Sequence, residues 1–238
     1  MFQPGDVGPI VAGWRPAPLP GSEPMQGVRV GLERLSPAHC AELWPTIAGE
    51  DALWSYMAAG PFADAAGFVA WGSGVAALAD PQFWAIRPVG SPVAGVASFL
   101  RIEPSHGVIE VGNILFSEAL QGTPAATEAM ALMMARAFSL GYRRYEWKCN
   151  ALNLPSRRAA QRLGFSFEGV FRQHMIIKGR NRDTAWFSLT DADWPALRAA
   201  LETWLAPGNF DAQGRQRVAL SGLTRHLVTP DPAVQRGI

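Results

Sequence analysis

The sequence ILFSEALQGTPAATEA, residues 114–129, joins an apolar strand-like run to a turn of small residues and then to a strong helix former. The first turn of a helix has backbone N–H groups without partners, and the helix dipole places partial positive charge there. An anion such as a pyrophosphate binds well at such an end. Gly122 and the pair Ala125-Ala126 leave room for close backbone approach. The stretch therefore predicts an anion site at a strand-turn-helix junction.

The segments on either side of this junction have strand and helix patterns. Upstream, an alternating run at 28–35 predicts a strand, two alanine- and leucine-rich segments predict short helices, and three β-branched and aromatic runs predict a meander of three strands. Downstream, the patterns predict a helix over 124–140, a strand over 143–150, a helix that ends at Gly164, a hairpin, and a last helix that reaches Trp204.

The composition excludes several function classes. With 238 residues, 48% of them hydrophobic, the chain can bury a substantial core. Its 21 lysines plus arginines balance 20 acidic residues, so no net field attracts nucleic acid or an anionic membrane. The two cysteines, Cys40 and Cys149, are far apart and form no C-x-x-C pair, which indicates neither a disulfide framework nor a zinc site. We therefore expect a cytoplasmic protein without a nucleic-acid partner.

The two ends of the chain differ from its middle. Residues 1–27 are rich in proline and carry no early positive charge, which predicts an extended arm rather than a signal peptide. No apolar run reaches the roughly 20 residues that a membrane helix needs. Residues 207–238 are expected as a polar tail, so the predicted domain spans 28–206. The hairpin and the arms offer surfaces for a homodimer.

Three other patterns carry weaker signals. Residues 72–77, GSGVAA, have the spacing of a dinucleotide fingerprint, but they lack the long preceding strand and the later acidic residue. We interpret them as a helical turn weakened by glycine; the alternative, a nicotinamide oxidoreductase, predicts protection by NAD. The four histidines have no paired spacing, so no metal site is predicted. A basic cluster forms either a solvated face or contacts to an anionic cofactor; it comprises Arg143, Arg144, Arg157, Arg158 and Arg162.

Three motifs in one order, and one shorter match, resemble those of the GNAT acetyltransferases, in particular the branch of ribosomal-protein N-terminal acetyltransferases. QGTPAATEA at 121–129 is similar to that branch's pyrophosphate loop, G-x-G-x-A-T-E-A. N-x-x-S at 153–156 and LGF at 163–165 resemble its N-x-x-S…GF segment. FEGVFRQH followed by KGRNRDT resembles its closing hairpin, and EVG at 110–112 resembles its fourth-strand E-I-G. The resemblance covers 28–190.

This resemblance implies the GNAT fold, an α/β (α+β) arrangement in which helices flank a mixed, mostly antiparallel sheet of about seven strands. The fourth and fifth strands splay apart to admit the pantetheine arm of acetyl-CoA, the implied co-substrate. The acetyl group would pass directly to a primary amine of a protein N-terminus or a small molecule. The implied cofactor contacts are Leu115, Phe116, Gln121, Gly122, Thr123, Ala125, Ala126, Thr127, Asn153 and Ser156.

The amine must lose a proton, and two carboxylates on the fourth and fifth strands are candidates for the base, Glu110 and Glu146. The alternative for each is a structural carboxylate bonded to an arginine or to backbone. Asn113, Trp147 and His174 are candidates for the acceptor pocket, although a tryptophan is equally compatible with the core.

Three positions depart from the family pattern. Ala119 replaces an arginine or glutamine, and Pro124 replaces a glycine or alanine and so lacks an N–H for a phosphate. Ala160 stands four positions before Gly164, where many members of the family carry a tyrosine that protonates the leaving thiolate. These departures leave an alternative open, a GNAT-like regulatory module that binds CoA without turnover.

Overall fold

The computed structural model describes residues 7–235, so the first six residues of the expected arm and the last three of the expected tail lie outside it. Within these residues, eight strands form one sheet in the order β1-β2-β3-β4-β5-β6-β8-β7. Neighbouring strands are antiparallel except β5 and β6, which are parallel. The strands are β1 (Met25–Gln26), β2 (Val30–Arg34), β3 (Gln82–Pro88), β4 (Gly95–Glu103), β5 (Val108–Phe116), β6 (Arg144–Asn150), β7 (Ser166–Ile177) and β8 (Arg180–Thr190).

The described residues also form seven α-helices. They are α1 (Pro37–Leu43), α2 (Ala65–Ala76), α3 (Pro124–Ser139), α4 (Leu154–Arg162), α5 (Trp194–Leu205), α6 (Leu220–Thr224) and α7 (Pro232–Gln235). The predicted α/β class with a mixed, mostly antiparallel sheet is confirmed. The sheet has eight strands rather than seven because β1, from within the expected arm, pairs with β2.

Side-chain caps and a close helix contact explain where these helices lie. At α3, the Ala126 amide donates to Thr123 Oγ1 at 3.2 Å, which satisfies one N–H of the first turn. The GSGVAA segment falls in the second half of α2 and at its end, so the interpretation as a helical turn is confirmed. A Cβ at Gly72 would overlap Cys40 Sγ, because α1 and α2 pack closely there.

The core is divided between the two faces of the sheet. Trp84, Phe99 and Tyr145 are buried on the face that α3, α4 and α5 cover. Val96 and Leu115 belong to a second buried cluster, under α1 and α2. We call these the α3 side and the α1 side of the sheet.

A bulge and a gap shape the middle of the sheet. Ser98 pairs with Gly112 but Val96 pairs with Leu115, so β5 contains one residue more than β4 over this interval. Asn113, within the bulge, has a left-handed φ of 50°. The ladder between β5 and β6 ends at Val111 and Trp147, although both strands continue beyond it. The two parallel strands therefore splay apart, as predicted.

Residues beyond α5, expected as a polar tail, pack against α4 and α5. Leu220 of α6 is fully buried. Asp231 is also fully buried, and its two carboxylate oxygens each accept a hydrogen bond of 2.6 Å from the Arg157 guanidinium of α4. At the other end of the chain, Trp14 Nε1 donates to Ser105 O at 2.9 Å. Between residues 7 and 235, no helix has both the length and the hydropathy to cross a membrane.

Candidate active site

A cavity of about 610 Å³ lies on the α3 side of the sheet, next to the point where β5 and β6 separate. One wall is the start of α3 with the turn before it, and the opposite wall is α4. The lining also includes Phe116, the last residue of β5, and Trp147, the last residue of β6 that pairs with β5. Phe210 and Gln216, from beyond α5, complete the lining. The predicted anion site thus opens into a space that reaches the gap between the strands.

Two amides at the start of α3 have no hydrogen-bond partner among residues 7–235, those of Gly122 and Ala125. The Ala126 amide is bonded to the Thr123 hydroxyl, and the Thr127 amide donates to Thr123 O at 3.3 Å. Gly122 has a φ of 71°, which only glycine adopts without strain. The site therefore presents two free N–H groups and the positive end of a helix to an anion.

The arginine cluster divides between the cavity and other contacts. Arg158 and Arg162 line the cavity from α4. Arg162 Nη1 donates to Thr127 Oγ1 at 3.0 Å, and its guanidinium lies 4.8 Å from the centre of the Trp204 ring. Burial lowers the pKa of Arg162 from its ordinary value, although a guanidinium stays protonated at neutral pH. The cavity therefore has a cationic wall opposite the helix start.

Four other residues that were predicted to contact the cofactor make contacts within the protein instead. Of these four, only Gln121 lines the cavity. Asn153 caps α4, where its Oδ1 accepts from the Ser156 amide at 3.1 Å. Ser156 Oγ accepts from Trp147 Nε1 at 3.0 Å. Gln121 Nε2 donates to Phe116 O at 2.9 Å, while Leu115 is buried under α1 and α2. Of the predicted cofactor contacts, six line the cavity: Phe116, Gln121, Gly122, Thr123, Ala126 and Thr127. Four do not: Leu115, Ala125, Asn153 and Ser156.

The two candidate bases lie side by side on the α1 side of the sheet, joined by a buried lysine. Glu110 on β5 pairs in register with Glu146 on β6. Lys148 Nζ lies 3.1 Å from Glu110 Oε2 and 2.6 Å from Glu146 Oε2. Its side chain is only 4% exposed, and the ammonium lies 3.7 Å from the centre of the Trp186 ring. A cation thus links both carboxylates.

The two carboxylates differ in how many of their oxygens accept a hydrogen bond from a cationic side chain. Glu146 Oε1 accepts from Arg144 Nε at 2.7 Å, so both of its oxygens have cationic partners. Glu110 Oε2 accepts from Arg101 Nη1 at 2.6 Å as well as from Lys148, but Oε1 has no hydrogen bond to any residue from 7 to 235. That free oxygen faces Gly112, at the start of the splay. Only Glu110 therefore has an oxygen free to accept a proton.

The three residues predicted for the acceptor pocket do not come together. Asn113 Nδ2 donates to Ser98 Oγ at 2.9 Å beside the bulge. His174 on β7 bonds through Nδ1 to Thr184 Oγ1 at 3.0 Å and lies on the α1 side with Trp186. Trp147 is on the α3 side, in the cavity. Burial first, and nearby cations next, lower the pKa of His174, so its imidazole is neutral at neutral pH.

Sequence reasoning missed Lys148 and Arg101, which hold the two carboxylates. The alternation of β6 contained a signal for Lys148, because residues two apart in a strand share a face and Glu146 was already a candidate. No sequence signal pointed to Arg101. It has a φ of 46° beside an irregular stretch of pairing between β4 and β5, so its reach towards Glu110 depends on the folded sheet.

Comparison with known proteins shows which family this chain belongs to. A family model described as an acetyltransferase (GNAT) domain matches residues 29–166. A GCN5-related N-acetyltransferase from Brucella melitensis is 44% identical with a TM-score of 0.88, over 90% of this chain and 99% of that one. A GNAT-family protein from Chromobacterium violaceum is 39% identical with a TM-score of 0.76, over 82% and 99%.

A more distant structural match comes from the branch of ribosomal-protein acetyltransferases that the sequence motifs resemble. A ribosomal L7/L12 α-N-protein acetyltransferase, RimL, has a TM-score of 0.63 over 71% of this chain and 94% of its own. At 21% identity that likeness shows the fold alone. None of the curated proteins matches the sequence. The family model matches more than half of the chain, and two relatives are more than 30% identical over most of it. The chain therefore belongs to the GNAT acetyltransferase family.

Proposed function

We propose that this protein is an N-acetyltransferase that moves the acetyl group of acetyl-CoA directly to a primary amine. The observation that carries the proposal is the cavity between the start of α3 and α4, which meets the gap between the splayed strands. The amine would be that of a protein N-terminus or a small molecule. Cytoplasmic location and a homodimer stay predictions.

The cavity suits the chemistry of CoA. The free amides of Gly122 and Ala125 offer donors to a pyrophosphate, and Arg162 adds a cation from the other wall. Phe116 and Trp147 offer an apolar surface in the cavity for a pantetheine arm. A protein of the same fold, the MccE acetyltransferase, was crystallised with acetyl-CoA and AMP. Pro124 removes one possible donor, but the two free amides remain.

The reaction requires alignment of an amine with the thioester and removal of one proton. The amine nitrogen bonds to the carbonyl carbon, the C–S bond breaks, and the thiolate of CoA leaves. Glu110 is the better of the two candidate bases because its Oε1 is free and faces the splay. Direct transfer is favoured over a cysteine intermediate. Burial raises the pKa of the Cys149 thiol to about 11, so it is a weak nucleophile at neutral pH.

The leaving thiolate has no tyrosine at the position where many relatives carry one. Ala160 is fully buried in α4, among core residues, so the position has no room for a phenol that reaches the cavity. We propose that solvent supplies this proton. A CoA thiolate is a good leaving group in water, and therefore Ala160 is compatible with turnover.

The test is release of free thiol from acetyl-CoA in the presence of a panel of primary amines, with thermal unfolding in CoA and in NAD as a second measurement. We expect amine-dependent thiol release and a higher melting temperature with CoA but not with NAD, because a ligand of the native state stabilises it. CoA protection without thiol release for any amine would favour the non-catalytic module. Protection by NAD alone would instead remove the acetyltransferase proposal.

A further inference from the structure

The α1 side of the sheet, next to the splay, carries an ion-pair network and, outside that network, one further arginine. Three carboxylates take part, from Glu110, Glu146 and Glu168. They are paired with Arg101, Arg144 and Lys148, through distances of 2.6–3.1 Å. Each of these three cations contacts at least one carboxylate, so the network is balanced without a further charge.

Arg182 is the additional cation. It lies on β8, and its Nε is buried without a hydrogen-bond partner. Its guanidinium forms no hydrogen bond or ion pair with any residue from 7 to 235. Burial lowers the pKa of Arg182, and Cys149, Glu110 and Arg101 are close enough to influence that pKa as well. A guanidinium nitrogen that is buried without an acceptor is costly, so Nε of Arg182 lacks an acceptor in the described residues alone.

The face on which Arg182 lies argues against CoA phosphates as its partner. Residues two apart in a strand share a face, so Arg182 is on the same side as Thr184 and Trp186, which contact His174 and Lys148. The cavity with the free amides is on the α3 side and does not include Arg182. Its partner is therefore expected to approach from the α1 side, where the candidate base lies.

A second unmatched donor, Trp186 Nε1, lies on the same face of β8 as Arg182. Trp186 Nε1 is buried and has no acceptor among the described residues. His174 does not add a charge at neutral pH, because its pKa is lowered. Arg182 Nε and Trp186 Nε1 thus both lack an acceptor within the described part of the chain, and a carboxylate would supply one together with a charge that matches the guanidinium.

We propose that the amine acceptor carries a carboxylate and that Arg182 binds it. This inference rests on the proposed acetyltransferase function and specifies the chemical class of its acceptor. A guanidinium holds a carboxylate through two parallel hydrogen bonds, so it fixes orientation as well as position. The amine is then held beside the free oxygen of Glu110. The carboxylate belongs either to an amino acid or to an acidic residue near a peptide N-terminus.

The test compares matched pairs of acceptors that differ in one carboxylate: alanine with alaninamide, β-alanine with its amide, and the dipeptide Asp-Ala with Asn-Ala. Thiol release gives kcat/KM for wild type, Arg182→Gln and the control Arg180→Gln. Arg180 is an exposed arginine two residues earlier on β8, so its substitution removes the same charge from the same strand. Calorimetric titration with CoA and circular dichroism check the cofactor site and the fold of each variant.

We expect the acid of at least one pair to be favoured by about 10- to 100-fold in wild type, the usual value of a hydrogen-bonded charge. Arg182→Gln should abolish that preference and Arg180→Gln should keep it. The two acceptors of a pair also differ in the pKa of the amine. The informative quantity is therefore the acid-to-amide ratio of kcat/KM, compared between wild type and each variant. The pair that responds identifies the source of the carboxylate.

Two outcomes would overturn the inference alone. Equal use of acid and amide by wild type would show that no carboxylate is bound. A preference for the acid that survives Arg182→Gln would show that Arg182 does not bind it. Transfer to the amides would then continue, and the proposed function would stand. Absence of thiol release with every amine would instead overturn the function and the inference together.

Discussion

Gly122→Asp is the sharpest test of the proposed pyrophosphate site. Gly122 has a φ of 71°, and a Cβ built on it meets no atom within 4 Å. The aspartate therefore has space, and the left-handed backbone costs roughly 1 to 2 kcal/mol for a residue other than glycine. Such a loss is small compared with the stability of a typical domain, so we expect the variant to fold.

The effect on CoA affinity follows from the charge. A carboxylate about 4 Å from one phosphate charge is repelled by about 1 kcal/mol at the dielectric constant of water and about 4 kcal/mol at an effective value of about 20. Gly122 is exposed, so screening keeps the effect below the upper figure. We expect CoA to bind roughly 10- to 100-fold more weakly.

Two controls separate charge from backbone strain. Gly122→Asn has nearly the same shape without the charge and should bind CoA close to wild type. Gly90→Asp places the same residue at a φ of 74° with no neighbouring atom, in the turn between β3 and β4 and outside the cavity lining. Calorimetric titration of CoA measures the affinities, and circular dichroism checks folding. Wild-type affinity in a folded Gly122→Asp protein would refute the proposed site.

Three further predictions concern the carboxylates, the C-terminal contact and pH. Glu110→Gln should lower kcat by about 100-fold or more with little change in CoA affinity, and Glu146→Gln much less, because only Glu110 has a free oxygen; equal rates in steady-state assays would mean that water takes the proton. Asp231→Asn should reduce the free energy of unfolding in urea by about 3 to 5 kcal/mol, because it leaves the buried Arg157 charge uncompensated; a loss below 1 kcal/mol would contradict this. In the folded protein the pKa of His174 is below its ordinary value of 6.5, so the unfolded chain binds this proton more tightly and stability falls as pH drops through 6.5. The melting temperature should therefore fall less between pH 7.5 and 5 in His174→Gln than in wild type. An equal dependence of melting temperature on pH in the two proteins would contradict this.

Much of the fold follows from local sequence. The Thr123 cap, Pro124 in the first turn and the left-handed Gly141 mark both ends of α3 to within a residue. The alternation of apolar residues marks the strands, and the small residues at 121–129 mark the junction that opens into the cavity. These features depend on groups a few residues apart, whose interactions are present in the sequence itself. The resemblance to the GNAT family was likewise found in short local motifs of the sequence.

The pairing of charges and the walls of the cavity were decided by the tertiary structure. Lys148 joins Glu110 to Glu146 because two strands 36 positions apart in sequence lie side by side in parallel register. Phe210 reaches the cavity because the segment after α5 folds back over α4, although its composition indicated a polar tail.

The unpaired state of Arg182 is a property of the assembled sheet in the same way. Sequence shows its charge, but only the fold shows that every nearby carboxylate already has another partner. Trp147 likewise belongs to the α3 side because its neighbours Glu146 and Lys148 face the other way. Residue types and local pattern determine which elements form. Which side chains meet depends on packing between elements distant in sequence, and no local pattern contains that information.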